Sequence, residues 1–244
     1  MKFPRIDLDN LKQESLDSVS PMERRTFLKI GLAITGVFAG GRLLQVSPAQ
    51  ASGGHSYKYK PHYSMVIRQN LCVDCERCVE ACAKTNNVPS YGYRTRIFER
   101  VMEEAVGQKR EFIPVLCNQC NNPPCTRACP TSATYKDKTN GIIHVEPKRC
   151  IGCKTCMLAC PYNARYLKGD TKTVDKCNFC YDTRLSKGET LTACAAACPA
   201  GVRNFGDISD KSSNVYKLVY QIEKPVWVLR PESGAEPNVF YMKN

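Results

Sequence analysis

All sixteen cysteines of this 244-residue chain fall into four groups of four. They are Cys72, Cys75, Cys78, Cys82; Cys117, Cys120, Cys125, Cys129; Cys150, Cys153, Cys156, Cys160; and Cys177, Cys180, Cys194, Cys198. None is left over. The third group reads Cys150-Ile-Gly-Cys153-Lys-Thr-Cys156-Met-Leu-Ala-Cys160-Pro161. Three cysteines spaced by three wrap one corner of an iron–sulfur cube. The fourth, four residues on and followed by proline, ligates the other cluster in two-cluster proteins of this pattern. Such a motif predicts a partner motif, and three more cysteine groups are present.

Three chemistries compete for the thiols. Disulfides suit an exported chain, but they place no demand on this spacing. Zinc ribbons use two separated CxxC pairs, and the fourth group, C-x2-C-x13-C-x3-C, has that form. The first and third groups, C-x2-C-x2-C-x3-C, do not, and the second, C-x2-C-x4-C-x3-C, lies between the types. No CxxC is followed by histidine, which excludes covalent haem of the c type by motif. His55, His62 and His144 show no ligand spacing and read as surface or loop residues; Trp227 reads as core. Four [4Fe-4S] clusters are therefore expected, with a structural zinc-binding protein as an alternative.

The formal net charge of +12 counts every cysteine as neutral. An oxidised cube on four thiolates carries about −2, so four bring about −8. The basic residues then read as compensation for cluster charge, and no nucleic-acid partner is expected. No base, nucleophile or substrate motif stands out, so no catalytic residue is assigned.

Residues 1–51 have the order of a signal peptide: Arg24-Arg25-Thr-Phe-Leu-Lys29, a short apolar run from Ile30 to Gly41, and Ala49-Gln50-Ala51. The paired arginines resemble the twin-arginine class. Twelve residues are too few for a bilayer, which needs about 20. The export route fits the chemistry. Cluster insertion is coupled to folding, and a threading route delivers bare thiols to an oxidising compartment. A periplasmic protein starting at Ser52 is expected, with Met22 as an alternative start. After the leader there is no 18-residue apolar stretch, so no transmembrane span is expected in the mature chain.

Residues 52–62 read as a linker. Tyr63 to Arg68 alternates as a strand before Cys72, and Ile142 to Val145 does so before Cys150. Cys129-Pro-Thr-Ser-Ala-Thr-Tyr135 matches Cys160-Pro-Tyr-Asn-Ala-Arg-Tyr166, and Cys198-Pro-Ala-Gly-Val-Arg-Asn-Phe205 is a looser copy. Each predicts a short helix stopping before proline, then a strand, which is half of a ferredoxin. The expected fold is α+β: two ferredoxin-like bis-[4Fe-4S] modules related by pseudo-twofold symmetry. Module one comprises 63–83 plus 174–205, and module two 112–167. An insertion spans 84–111, rich in Tyr91, Tyr93, Arg94, Arg96, Phe98 and Arg100 and read as a hairpin or extended loop. A C-terminal tail spans 206–244.

The four motifs in this order resemble the four-cluster iron–sulfur subunits of the polysulfide and dimethyl sulfoxide reductase type, especially exported members of the NrfC and DsrO kind. The likeness rests on Leu116-Cys-Asn-Gln-Cys-Asn-Asn-Pro-Pro-Cys125, Arg149-Cys-Ile-Gly-Cys153, Cys160-Pro-Tyr162 and Asp175-Lys-Cys-Asn-Phe-Cys180, and runs from about Tyr63 to the C-terminus. Cys82 departs from the pattern, being followed by Ala83 rather than proline. The resemblance implies crossed ligation: Cys72, Cys75, Cys78 with Cys198 (cluster 1); Cys177, Cys180, Cys194 with Cys82 (cluster 2); Cys117, Cys120, Cys125 with Cys160 (cluster 3); and Cys150, Cys153, Cys156 with Cys129 (cluster 4). It also implies two partners. One is a membrane-embedded, NrfD-like subunit that handles quinone. The other is a periplasmic cytochrome c or molybdopterin catalytic subunit. The expected role is electron transfer between them, with a free soluble polyferredoxin as the other alternative.

Overall fold

The computed structural model describes residues 57–104 and 107–243; the expected leader, with Arg24 and Arg25, lies outside them. The elements run β1 (Tyr63–Arg68), α1 (Arg77–Asn86), β2 (Thr95–Glu104), β3 (Gly107–Leu116), α2 (Pro124–Arg127), β4 (Thr134–Lys136), β5 (Ile143–Val145), α3 (Thr155–Leu158), β6 (Tyr166–Leu167), β7 (Val174–Asp175), α4 (Ala193–Ala196), β8 (Arg203–Asp207), α5 (Asn214–Tyr220), β9 (Val226–Trp227) and β10 (Val239–Met242). This is a mixed helix and strand fold of small sheets and short helices, with cysteine loops between them.

The largest sheet has the order β8-β1-β10-β9. β1 lies antiparallel to β8, with Val66 opposite Asn204, and parallel to β10, with Val66 opposite Phe240. Successive side chains of a strand point to opposite faces. Met65 and Ile67 pack with Cys78, Cys117, Cys177, Cys194, Phe205 and Tyr241. Val66 faces the other way and packs with Ile208, Val215, Leu218 and Met242, where α5 covers the sheet. The alternation expected of β1 is absent: residues 64–67 are all buried, because both faces of this central strand are covered. Each apolar side chain buried this way contributes about 1.5–3 kcal/mol. Ser213 starts α5 by accepting a hydrogen bond from the Tyr216 backbone N–H at 3.1 Å.

Residues 84–111 resolve into the end of α1 and most of a long hairpin. β2 and β3 pair from Thr95 opposite Leu116 to Glu104 opposite Gly107. Arg94 ties its base down. Its guanidinium holds both Asp175 oxygens, at 2.8 and 3.0 Å, and donates to Asn86 and Asn178. Within the expected C-terminal tail, β9 and β10 complete the main sheet.

Two of the histidines read as surface or loop residues, His62 in a loop and His144 in β5, are buried. His62, 4% exposed, has its Nε2 2.9 Å from Asn238 Oδ1 and its ring against Tyr57 and Tyr59. His144 stacks on Tyr135 and meets Tyr181 edge-on. Asn238 at His62 and Tyr181 at His144 come from far along the chain to help enclose the rings, a placement that ligand spacing does not report. No helix among the described residues is long and apolar enough to cross a membrane.

Candidate metal centres

The four cysteine loops share one winding. The third residue of each opening CxxC is left-handed: Asp74 (φ 56°), Gln119 (φ 48°), Gly152 (φ 67°) and Phe179 (φ 54°). A non-glycine residue pays about 1–2 kcal/mol for this conformation, so its recurrence marks a backbone path common to all four. Three of the loops then enter a short helix whose buried face carries a cysteine: Cys78 on α1, Cys125 on α2 and Cys156 on α3. Cys194 sits likewise on α4. α1 packs on α4, and α2 on α3. The first group therefore meets the fourth, and the second meets the third.

All sixteen thiols are free. Cys75 and Cys153 are exposed; Cys72, Cys129, Cys150, Cys160 and Cys198 are half-buried; the other nine are buried. Burial pushes the Cys82 and Cys120 thiols up to about 12 and raises Cys72, Cys78, Cys125, Cys160 and Cys177 as well.

The charges of other cysteines add to the rise. Cys194 and Cys198 act on Cys78, and Cys194 and Cys180 on Cys82. Cys82, Cys180, Cys194 and Cys117 act on Cys177. Cys117, Cys125 and Cys160 act on Cys120. Cys153 is held below the ordinary thiol value by the Thr155 hydroxyl, against the opposing charge of Cys129.

Several sulfurs already accept hydrogen bonds. The backbone N–H groups of Thr134, Val174, Phe179 and Val202 donate to Cys129, Cys150, Cys177 and Cys198, each at 3.4 Å. Asn86 donates to Cys180 at 3.5 Å. Hydrogen bonds to sulfur are one of the terms that tune a cluster's potential.

Two buried guanidiniums supply the counter-charge. Arg165 is 1% exposed and Arg203 4%. Neither is in an ion pair with a carboxylate among the described residues, and each bonds a threonine hydroxyl, Thr134 at 3.1 Å and Thr95 at 2.7 Å. Among the described residues Arg165 Nη2 and Arg203 Nη1 find no oxygen or nitrogen partner, and it is the Cys78 thiol that faces the Arg203 guanidinium. A buried charge left like this is expensive. Burial works against both cations, yet the thiols keep them charged: Cys125, Cys117, Cys156 and Cys160 around Arg165, Cys194 and Cys78 around Arg203. Anionic thiolate clusters at these loops answer that unpaired charge, so the residues present fit iron–sulfur cubes. Among the described residues no three His, Cys, Asp or Glu side chains converge as one metal ion requires. A cube, with an iron at each of several corners, does not require it.

The functional residues that spacing rules overlooked are these cations and Asn86. A signal for the arginines exists, because Arg165 follows Cys160 by five residues and Arg203 follows Cys198 by five.

Loops of this winding, with sulfur-directed donors and buried cations, define a 4Fe–4S protein of the ferredoxin type. Residues 108–208 match the family model of the 4Fe-4S dicluster domain. The protein is 36% identical over 209 residues to the B subunit of tetrathionate reductase from Salmonella typhimurium, covering 84% of this chain and 82% of that one. It is 39% identical over 186 residues to the B polypeptide of polysulfide reductase from Wolinella succinogenes (75% and 94%). It is 40% identical over 163 residues to the thiosulfate reductase electron transfer subunit PhsB of Salmonella typhi (66% and 83%). This protein belongs to the family of 4Fe–4S ferredoxin-type subunits that includes these reductase components and NrfC.

Proposed function

We propose that this chain is a four-cluster electron relay. It passes single electrons between a membrane-embedded, NrfD-like quinone-interacting subunit and a periplasmic cytochrome c or molybdopterin catalytic subunit. The ligand sets are the crossed ones: Cys72, Cys75, Cys78, Cys198; Cys82, Cys177, Cys180, Cys194; Cys117, Cys120, Cys125, Cys160; and Cys129, Cys150, Cys153, Cys156. They group into two ferredoxin-like modules, 63–83 plus 174–205 and 112–167, behind a twin-arginine leader of residues 1–51.

The observation that carries this reading is the run of cysteines packed together: Cys78, Cys117, Cys177 and Cys194 share one core cluster, with Cys72, Cys160 and Cys198 against it, and Cys125 and Cys156 share another, with Cys150 against it. Arg165 is shared by Cys117, Cys125 and Cys160 on one side and Cys156 on the other. When bound, the clusters supply one-electron redox chemistry. The chain itself keeps the inner ligands dry, donates hydrogen bonds to sulfur and offsets charge with Arg165 and Arg203. Only Cys75 and Cys153 among the sixteen are exposed, so the two ends of the run are where electrons enter and leave.

The test is anaerobic purification of the native complex, with iron, sulfide and subunit analysis. The expected result is about 16 iron and 16 sulfide per chain, with a membrane subunit and a periplasmic redox subunit attached. Saturation near half that iron, stoichiometric zinc, or a chain that purifies alone overturns the reading.

A further inference from the structure

The two exposed cysteines sit in different surroundings. Cys153 lies between Ile151, 67% exposed, and Leu158, 88% exposed at the end of α3. Lys148, Arg149 and Lys154 are exposed in the same loop. Exposed Lys172 joins them, since its carbonyl oxygen is 2.3 Å from where a Gly152 Cβ would stand. Two carboxylates are near in sequence, Glu146 and Asp170, each accepting one backbone N–H; they keep their charge but are outnumbered by the four cations. The rim is thus basic around an apolar centre. At Cys75 the exposed apolar residue is Val73, 68% exposed, and its neighbours are Asp74, Glu76, Arg77 and Glu80. That rim is mixed and leans acidic.

We propose that the face of Ile151, Cys153 and Leu158, ringed by Lys148, Arg149, Lys154 and Lys172, docks a redox partner protein whose own face carries carboxylates around an apolar centre. The proposal rests on the relay reading and adds the chemistry of one partner and the end it takes. Apolar contact at the middle of an interface supplies binding, while charges at its rim govern the rate of encounter and the choice of partner. An unbalanced basic rim attracts an acidic face and repels a basic one. The Cys75 end, where Arg77 and Arg110 stand among Asp74, Glu76 and Glu80, lacks this unbalanced basic rim, so the two ends are told apart electrostatically. A basic, partly apolar patch also suits an anionic lipid surface. Here the centre of the patch is an expected cluster ligand, and an electron leaving through it needs a redox centre opposite, which lipid does not offer.

The experiment is carbodiimide cross-linking of the purified native complex, which condenses a lysine ammonium with a carboxylate in contact. Lys148, Lys154 or Lys172 is expected to be joined to aspartate or glutamate of another subunit. The triple variant Lys148→Glu, Lys154→Glu, Lys172→Glu is expected to lose those links and to associate with that subunit at least tenfold more weakly at low salt. The gap should close at high salt. Free amine labelling of all three lysines in the intact complex overturns the proposal. So does binding of the cluster-loaded chain to phosphatidylglycerol vesicles that the triple variant abolishes, which gives the face to lipid. Iron content and the electron paramagnetic resonance signal of the same samples separate the two levels. Clusters present with free lysines sink only the docking face, whereas absent clusters sink the relay.

Discussion

Gly152 is the place where the third cysteine loop and the strand-bearing segment after it touch backbone to backbone. Its φ is +67°, and an added Cβ would lie 2.3 Å from the Lys172 carbonyl oxygen. Gly201, just past Cys198, has φ +59° but open space around its Cβ position. The pair separates two costs. Alanine in the left-handed region costs about 1–2 kcal/mol, partly offset by about 0.4–1 kcal/mol from a stiffer unfolded chain. Gly201→Ala should therefore cost about 0.5–1 kcal/mol. Gly152→Ala adds the overlap with a carbonyl that no side-chain rotation relieves, about 1–3 kcal/mol, for a total of about 2–4 kcal/mol. At guanidinium slopes of roughly 2–6 kcal/mol/M, the Gly152→Ala midpoint should fall by roughly 0.5–1 M and that of Gly201→Ala by much less. The assay is bleaching of cluster absorbance against guanidinium, both variants and the parent incubated side by side under anaerobic conditions. Lys172 lies two residues before Val174, whose N–H reaches Cys150 at 3.4 Å, so the loss should begin at the cluster holding Cys150. Equal midpoints for the two variants would refute the close approach of these segments.

Four further outcomes are expected. Replacing Arg165 by methionine removes a buried positive charge that favours the reduced state. At an effective dielectric near 20 and about 7 Å separation this is worth about 2 kcal/mol, so the midpoint potentials of the two clusters that share it should drop, the nearer by about 100 mV, in redox titration; an unchanged set of potentials refutes it. Burial lowers the pKa of His62 and His144 from 6.5, with Lys176 adding to the effect at His144. Their contribution to stability is present above about pH 6.5 and is lost as pH falls below it, because the unfolded chain then binds protons more readily. Urea midpoints at pH 7.5 and 5.5 check this, a flat profile counting against it. Cys160→Ser should perturb the cluster of Cys117, Cys120 and Cys125, and Cys129→Ser that of Cys150, Cys153 and Cys156; paramagnetic resonance on single-ligand variants reverses the assignment if each serine disturbs its own group. Changing Arg24 and Arg25 together to lysine should trap the precursor in the cytoplasm, as fractionation will show, and normal export of the variant removes the twin-arginine reading.

Local chemistry was the legible part of this chain. The Cys-Pro repeats located α2, α3, α4 and the strands after them, because proline and a cysteine at fixed distance act over a few residues. Tyr63–Arg68 was recognisable as a strand from its own composition, while its burial on both faces depends on β8, β10 and α5, far along the chain. Val239–Met242 looked like a fragment of a tail, since pairing with β1 leaves no mark on a four-residue apolar run. Arg165 and Arg203 stood in plain view within the repeat. Their burial follows from cluster charge, which a count of neutral cysteines conceals.

The parallel pairing of β1 with β10 has a consequence for timing. The first and last of the described strands are neighbours, so the sheet over the cysteine loops stays open until β10 has left the ribosome. All sixteen ligand cysteines are translated before Val239. Until β10 arrives, β1 presents an unpaired edge of buried residues, a ready template for wrong partners. A chain cut short before Val239 therefore carries its full set of thiols and a visible flaw.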